Sequence, residues 1–522
     1  MQLKRGNEKA ATQKVQRIRD NDSLREEGQV SVSENQYDVV VVGCGIAGLS
    51  AAVAAQEGGA RVCVLERSVF EERGGNTRYT GAWLRMKTES AVTDDFEEHF
   101  AENSGGYLDP ALTSEVVHDP SHWPASLKAL SFVDPNVIAT LAENAPQTLA
   151  WLTGFGVRFQ QLEVPFPTSR QPRWAPSGGG LALIEALARR FEDNGGTIVY
   201  ETAAQSLIQD DENRVIGVRA VGPGNRPVQF RGNAVVLGCG GFQGNAEMLT
   251  RYIGPRALYL RTMSVGCHAN KGEGIRMALD IGAAPCGDFG SWHASPADPR
   301  SNRPGPSMYV YPYGVLVNLN GQRFVDEGPG HTDATYESVT REIYAQPKGI
   351  AYVILDAGLQ DVPNLSVAIR TEQPAIEAPT LAELAVKLEI APEVLERTIS
   401  EYNAACRPGL FDPRALDGLR TEGITPRKSN WARPIARGPF KAYPIISTIV
   451  FTFGGLKVNT RAQVLNTQGE VIGGLYAAGE TMGIYYGTYT GATSVMKGAV
   501  FGRIAGSDAA SRLASAGAAE NN

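Results

Sequence analysis

Short apolar runs that end in glycine clusters mark three places along the chain. Residues 37–42 (YDVVVV) have the length and β-branched content of a buried strand. Gly43-Cys44-Gly45-Ile46-Ala47-Gly48 follows, then an alanine-rich stretch suited to a helix. A second apolar run, 61–65, ends at Glu66. The second place spans 195–242. A strand in TIVYE and a hairpin over SLIQDDENRVIGVRA lead to the run 234–237, which enters Gly238-Cys239-Gly240-Gly241-Phe242. The third lies near the end of the chain. Residues 474–478 predict a short strand into Gly479-Glu480, and a helix is expected to start near Ser494.

The stretch 286–435 has another texture. Tyr309, Tyr311 and Tyr313 alternate as on a strand and would share one face. GVLVNLNGQRFVDE reads as strand–turn–strand with Asn320-Gly321 at the turn, and 380–405 reads as helical. The predicted fold class is therefore α/β (α+β overall): a Rossmann-type domain with an inserted α+β cap domain. Residues 36–285 and 436–512 build the first and 286–435 the second. Residues 1–35 are expected to be a flexible extension and 513–522 a tail.

Composition narrows the function. The 522 residues carry a formal net charge of −7, so no general basic field for nucleic acid exists. Six cysteines without Cys-x-x-Cys spacing read as reduced thiols, which suggests a cytoplasmic protein without a metal site. No apolar run reaches the roughly 18 to 20 residues of a membrane helix. The first 35 residues lack the apolar region of a secretory signal.

The glycines of the first junction have separate tasks. Gly43 permits a tight turn, Gly45 admits a pyrophosphate close to the backbone, and Gly48 lets the helix pack on the strand. The N–H groups at Ile46 and Ala47 open the helix toward the phosphates. Glu66, with Arg67 beside it, ends the second strand where ribose hydroxyls would be bound. FAD is favoured over NAD by Gly74-Gly75-Asn76-Thr77 soon after Glu66, by Gly240-Gly241, and by Ala477-Ala478-Gly479-Glu480.

These features, with RGGNT at 73–77, SGGGLAL at 177–183, GCGGFQGN at 238–245 and GEGIRMALDIGA at 272–283, carry a resemblance. GQRFVDEG at 321–328, YNAACRPG at 402–409, TEGITPRKSNWARPI at 421–435 and FTFGGLKVN at 451–459 extend it, as does GTYTGA at 487–492. Over about 36–510 the chain resembles the fumarate reductase and succinate dehydrogenase flavoprotein superfamily, and within it the tricarballylate dehydrogenases. The resemblance implies that Asn76 and Thr77 lie near the flavin or its ribityl chain. It also implies that Glu480 binds the ribityl side, and that the helix from Ser494-Val495 points at the flavin. Succinate dehydrogenases attach FAD through a histidine near the glycine pair. Asn76-Thr77-Arg78-Tyr79 has none, so FAD is expected to be noncovalent.

The catalytic positions depart from the reductases. His331 stands nearest to the place of their proton-donating arginine. Phe451-Thr452-Phe453 replaces a substrate-binding histidine, and Tyr489 replaces an arginine. His293 matches a family histidine. A tyrosine in the equivalent loop is also a feature of ketosteroid and tricarballylate dehydrogenases. Tyr489, His293 and His331 are thus the candidate bases. Arg85, Tyr311, Tyr313 and Gly491 are the candidate substrate contacts, and Arg170 and Arg173 are further possible carboxylate clamps. The expected reaction is oxidation of a Cα–Cβ bond beside a carboxylate or ketone, with a tricarballylate-like substrate. The alternatives are a cyclic-ketone or 3-ketosteroid-type dehydrogenase and an enoate reductase. The expected partners are a small-molecule substrate and an external electron acceptor, a quinone-linked protein or oxygen.

Overall fold

Val39–Val42 is central in a six-stranded sheet and has no exposed face. Val62–Leu65 and Ala234–Leu237 pair with it in parallel on either side. Thr197–Val199 extends the sheet at one edge and Val471–Ala477 at the other, again in parallel. Gln463–Leu465 closes the second edge antiparallel. Strands buried on both faces need continuous apolar sequence, which is why these runs were visible without structure. The computed structural model describes residues 35–105, 122, 134–162, 173–363 and 365–520. Residues 1–34, Arg170 and residues 521–522 lie outside the described residues.

The first helix, Ile46–Glu57, is buried from Ile46 to Ala55. It packs against Ser494–Glu520, the last helix. Gly498, Gly502 and Gly506 recur every four residues and face it. A Cβ on Gly502 would stand 2.3 Å from the Ala47 carbonyl oxygen, and one on Gly506 2.1 Å from that of Ala51. This backbone-to-backbone packing pins the start of the last helix beside the Gly43–Gly48 turn. The helix also continues through the segment expected to be a tail. Its alanine-rich composition favours that continuation.

A second sheet is built on Phe440–Thr452. Trp292–Ala297, Ile350–Leu355 and Ile376–Ala378 pair with it antiparallel, Arg261–Thr262 parallel, and Val315–Asn318 pairs with Ile350–Leu355. The boundaries at 286 and 435 therefore do not separate the two sheets. The long apolar strand after 435 reads like a Rossmann strand but belongs to the second sheet. Thr332–Ala345 is a helix packed on Trp292–Ala297.

Three local expectations change. Tyr311–Tyr313 is a 3-10 turn, not a strand, because Pro312 lacks the N–H a ladder needs. After Asn320-Gly321 only Arg323 bridges back to Val317. Arg323 and Glu327 instead form a buried ion pair of 2.7 Å, and Glu327 accepts the Leu316 N–H. The expected 380–405 helix is two, Leu381–Lys387 and Pro392–Ala405, with Pro392 opening the second.

Candidate active site

A cavity of about 420 Å³ is lined from both sheets. Its first end is the Gly43–Ala47 turn with Glu66, Arg67 and Thr202–Ala204. Gly43 has a φ of +102°, and a Cβ there would meet the Gly238 carbonyl oxygen at 2.6 Å. Gly48 does not line the cavity. A Cβ on it would stand 1.8 Å from the Gly43 oxygen, so it serves the turn. The Glu66 carboxylate accepts from the N–H groups of Cys44 (3.0 Å) and Ser68 (2.8 Å). Burial raises its pKa, and these two donors work against that rise. Two oxygens offer about four lone-pair sites, so the carboxylate can accept further donors beside these two. Arg67 is tied to Glu273 at 2.7 Å.

The middle of the cavity is a polar mesh. Asn76 donates to the Val450 carbonyl (2.9 Å) and to Glu480 (3.2 Å), and accepts from Ser264 (2.9 Å). Glu480 also accepts from the Gly241 N–H (3.0 Å), Gln243 (2.9 Å) and Asn270 (3.2 Å). Gly241 thus acts through Glu480 and is not itself part of the lining, whereas Gly240 and Gly479 are. Thr77 receives the Ile46 N–H at 3.3 Å. Gly74, Gly75, Gly491, Ser494 and Val495 complete this part. A Cβ on Gly491 would meet nothing within 4 Å and would project into free space. Lys497, buried, donates to the Met482 carbonyl, and burial pushes its pKa down to about 7.

The far end is aromatic. His293 and Tyr489 have ring centroids 4.4 Å apart, and Phe451 lies 5.1 Å from His293 and 5.0 Å from Tyr489. Tyr309, Tyr336, Ser295, Ser307, Asp333 and Arg370 also face this end. The Tyr489 oxygen accepts the N–H groups of Thr493 and Ser494, each at 2.9 Å, and its hydroxyl donates to Ser494 Oγ at 3.1 Å. It caps the last helix, and its lone pairs are engaged. Burial raises its pKa. Both facts argue against the expected role as general base and for a role as anchor and cavity wall. His293 is neutral, pushed down to about 3 by burial and then by the Arg341 charge. Glu337 accepts the Tyr489 N–H at 3.0 Å and pairs with Arg341 at 3.0 Å. Arg341 in turn donates to the Trp292 and Gly487 carbonyls. This buried pair ties the His293 strand to the Tyr489 loop.

Several sequence-predicted contacts lie elsewhere. Arg85 does not line the cavity. It is buried against Asp95 (2.6 Å) and Thr93 (3.1 Å), and its N–H braces Ala492. Tyr311 is fully buried in the cap core. Tyr313 packs on Trp431 and donates to the Pro413 carbonyl. The 3-10 turn breaks their alternation, so Tyr309 alone of the three reaches the cavity. His331 precedes the Thr332–Ala345 helix and stays outside the lining, while Thr332 and Asp333 enter it. Tyr336, Arg370 and Thr202–Ala204 were missed. Asp333, Tyr336 and Glu337 share a helical face by their spacing of three and four, a signal the sequence does carry.

Helix N-terminus, buried acid, open glycines and polar mesh suit a dinucleotide carrying a flavin, and fold and site together define an FAD-binding flavoprotein. The family model described as FAD binding domain matches residues 38–495, and the chain belongs to that family. The chain is 30% identical to an NADH:acrylate oxidoreductase of Vibrio harveyi over 91% of its own length and 50% of that protein's. It is 26% identical to a 3-oxosteroid 1-dehydrogenase of Mycolicibacterium smegmatis, over 92% of this chain and 98% of that one. It spans about half the length of the first curated relatives it matches. Among solved structures, a 3-ketosteroid-Δ4-(5α)-dehydrogenase from Rhodococcus jostii RHA1 matches with TM-score 0.65 and 26% identity. That match covers 93% of this chain and all of that one. The open form of a flavocytochrome c3 fumarate reductase shares the fold, with TM-score 0.71 at 23% identity over 94% of this chain and 83% of that one.

Proposed function

We propose that this chain is an FAD-dependent oxidoreductase acting on a Cα–Cβ bond beside a carbonyl, and that a cyclic ketone is its substrate class. The observation that carries the reading is one continuous cavity with a dinucleotide site at one end and hydroxyl-bearing aromatic side chains at the other. Gly45, Glu66, Asn76, Thr77, Glu480 and Ser494 would hold FAD, noncovalently, since no histidine lies in 70–80. Bound there, FAD supplies the two-electron acceptor or donor. The similarity to 3-oxosteroid and 3-ketosteroid dehydrogenases along nearly their whole length supports the ketone reading.

Charge weighs against a tricarballylate-like substrate. Among the described residues, the far end offers one arginine, Arg370, and one carboxylate, Asp333. At least two of the three substrate carboxylates would be left without matching cations, at a cost of several kcal/mol per unpaired buried ion. A single carboxylate is a second reading, favoured by the Arg370 side chain, which lines the cavity without an ion pair among the described residues. Electrons would leave to an external acceptor, a quinone-linked protein or oxygen. The test is dye-linked turnover with cyclohexanone and larger cyclic ketones, 3-phenylpropanoate and tricarballylate. Dye reduction with ketones, and none with tricarballylate, is expected. Turnover with tricarballylate alone would overturn the substrate assignment.

A further inference from the structure

We infer that Tyr336 exchanges the proton of the substrate carbon and that His293 is its relay partner. The inference rests on the CH–CH reading above. Neither Tyr489 nor His331 is placed for that task. Tyr489 has its oxygen engaged by the last helix, and His331 lies outside the cavity lining.

Tyr336 sits on the Thr332–Ala345 helix, one turn after Thr332 and Asp333, and all three line the cavity. Its hydroxyl lies 2.6 Å from His293 Nε2. That is a short, directed contact between two groups able to trade a proton. The other ring nitrogen, Nδ1, has no hydrogen-bond partner among the described residues. With the neutral imidazole's single proton on the buried Nδ1, Nε2 is left free to accept one from Tyr336. The neighbours define its charge. The Tyr309 ring meets Tyr336 edge-on at 5.6 Å, and the Tyr489 ring lies tilted against His293 at 4.4 Å. The Glu337 carboxylate is turned to the Tyr489 and Ala294 N–H groups, and Arg341 pairs with it. Asp333 faces the same end. Burial, together with the charges of Glu337 and Asp333 and the nearby tyrosines, holds the Tyr336 phenol protonated, and burial and Arg341 disfavour an imidazolium.

In the oxidative direction, one substrate C–H bond breaks and its proton joins the Tyr336 oxygen. The phenol's own proton crosses to Nε2 of His293, which holds it until product leaves and the proton returns through Tyr336 to the open cavity, while the buried Nδ1 keeps its proton throughout. FAD bound in the cavity would supply the two-electron acceptor for the hydride of the neighbouring carbon, so that the C=C bond forms with two electrons and one proton removed from the substrate. Reduction runs the same transfers backward.

Proton transfer can be followed without electron transfer. FAD-loaded protein in D₂O is given cyclohexanone, and exchange of its α-hydrogens is read by NMR. Wild type should exchange them faster than buffer. Tyr336→Phe should keep its FAD and lose the catalysed rate by about 10²-fold or more. Wild-type exchange in Tyr336→Phe, or no catalysed exchange in wild type, overturns the inference. Nitrogen-15 NMR of labelled histidine adds a readout independent of turnover. The His293 Nε2 resonance should move in Tyr336→Phe, and an unmoved resonance refutes the contact. Should Tyr336→Phe fail to fold, 3-fluorotyrosine at 336 keeps the shape and acidifies the phenol. The exchange pH profile should then shift downward, and an unshifted profile overturns the inference. Catalysed exchange with flavin that no ketone reduces would sink the CH–CH reading and leave the relay standing. Equal flavin reduction in wild type and Tyr336→Phe would do the reverse.

Discussion

Single residues divide here by whether their task is local. Gly43, Gly45 and Glu66 are arranged by backbone approach and one carboxylate, and all three line the cavity. Arg85, Tyr311 and Tyr313 show the other case. Asp95 captures the first, and the 3-10 turn around Pro312 sends Tyr311 and Tyr313 into two separate hydrophobic clusters. No spacing rule reveals a partner brought in by tertiary folding. Tyr489 is legible as a wall of the site but not as the cap of the last helix. Tyr489→Phe leaves two helix N–H groups without an acceptor and should destabilise the protein by about 1 to 3 kcal/mol. Thermal unfolding measures that loss, and an unchanged midpoint would refute the capping role. His293 predicts an acid dependence. Its folded value of about 3 lies below the unfolded value of about 6.5, so the unfolded chain takes up the proton first as pH falls. The stability it contributes is whole above that unfolded value and is lost as pH falls toward the folded one. The slope is at most about 1.4 kcal/mol per pH unit. Denaturant unfolding between neutral pH and mild acid should therefore be less pH-dependent in His293→Gln than in wild type, and equal slopes would refute it.

At the scale of elements, buried strands and the first helix were readable because apolar runs and glycine turns are contiguous in sequence. The cap sheet was not, since its central strand Phe440–Thr452 pairs with segments from 261 to 378. The same limit hid the Thr332–Ala345 helix as a wall of the site. The last helix has a testable dependence on small residues. Gly506→Val would drive a side chain into the Ala51 carbonyl and push the two helices apart. Overpacking of this kind costs roughly 1 to 3 kcal/mol or more. The start of the helix would move away from the Gly43–Gly48 turn, so the variant should retain less FAD after gel filtration. Full retention with unchanged stability would show that this packing does not position the site.

Across the whole molecule, two sheets meet around one cavity, with the glycine turn and Glu66 at one end and His293 and the tyrosines at the other. No helix among the described residues is long and apolar enough to cross a membrane. Acid or heat should release FAD into the supernatant, and flavin that stays with the precipitated chain would refute noncovalent binding. The central claim is that a substrate carbon–carbon bond exchanges electrons with FAD in this cavity. Anaerobic mixing of FAD-loaded protein with cyclic ketones, followed by flavin absorbance, tests it most directly. The yellow band should bleach within one turnover, an enone should form, and an added electron-accepting dye should restore the band. A band that no cyclic ketone or monocarboxylate bleaches, in protein whose chemically reduced flavin is also not reoxidised by enones or enoates, would contradict it.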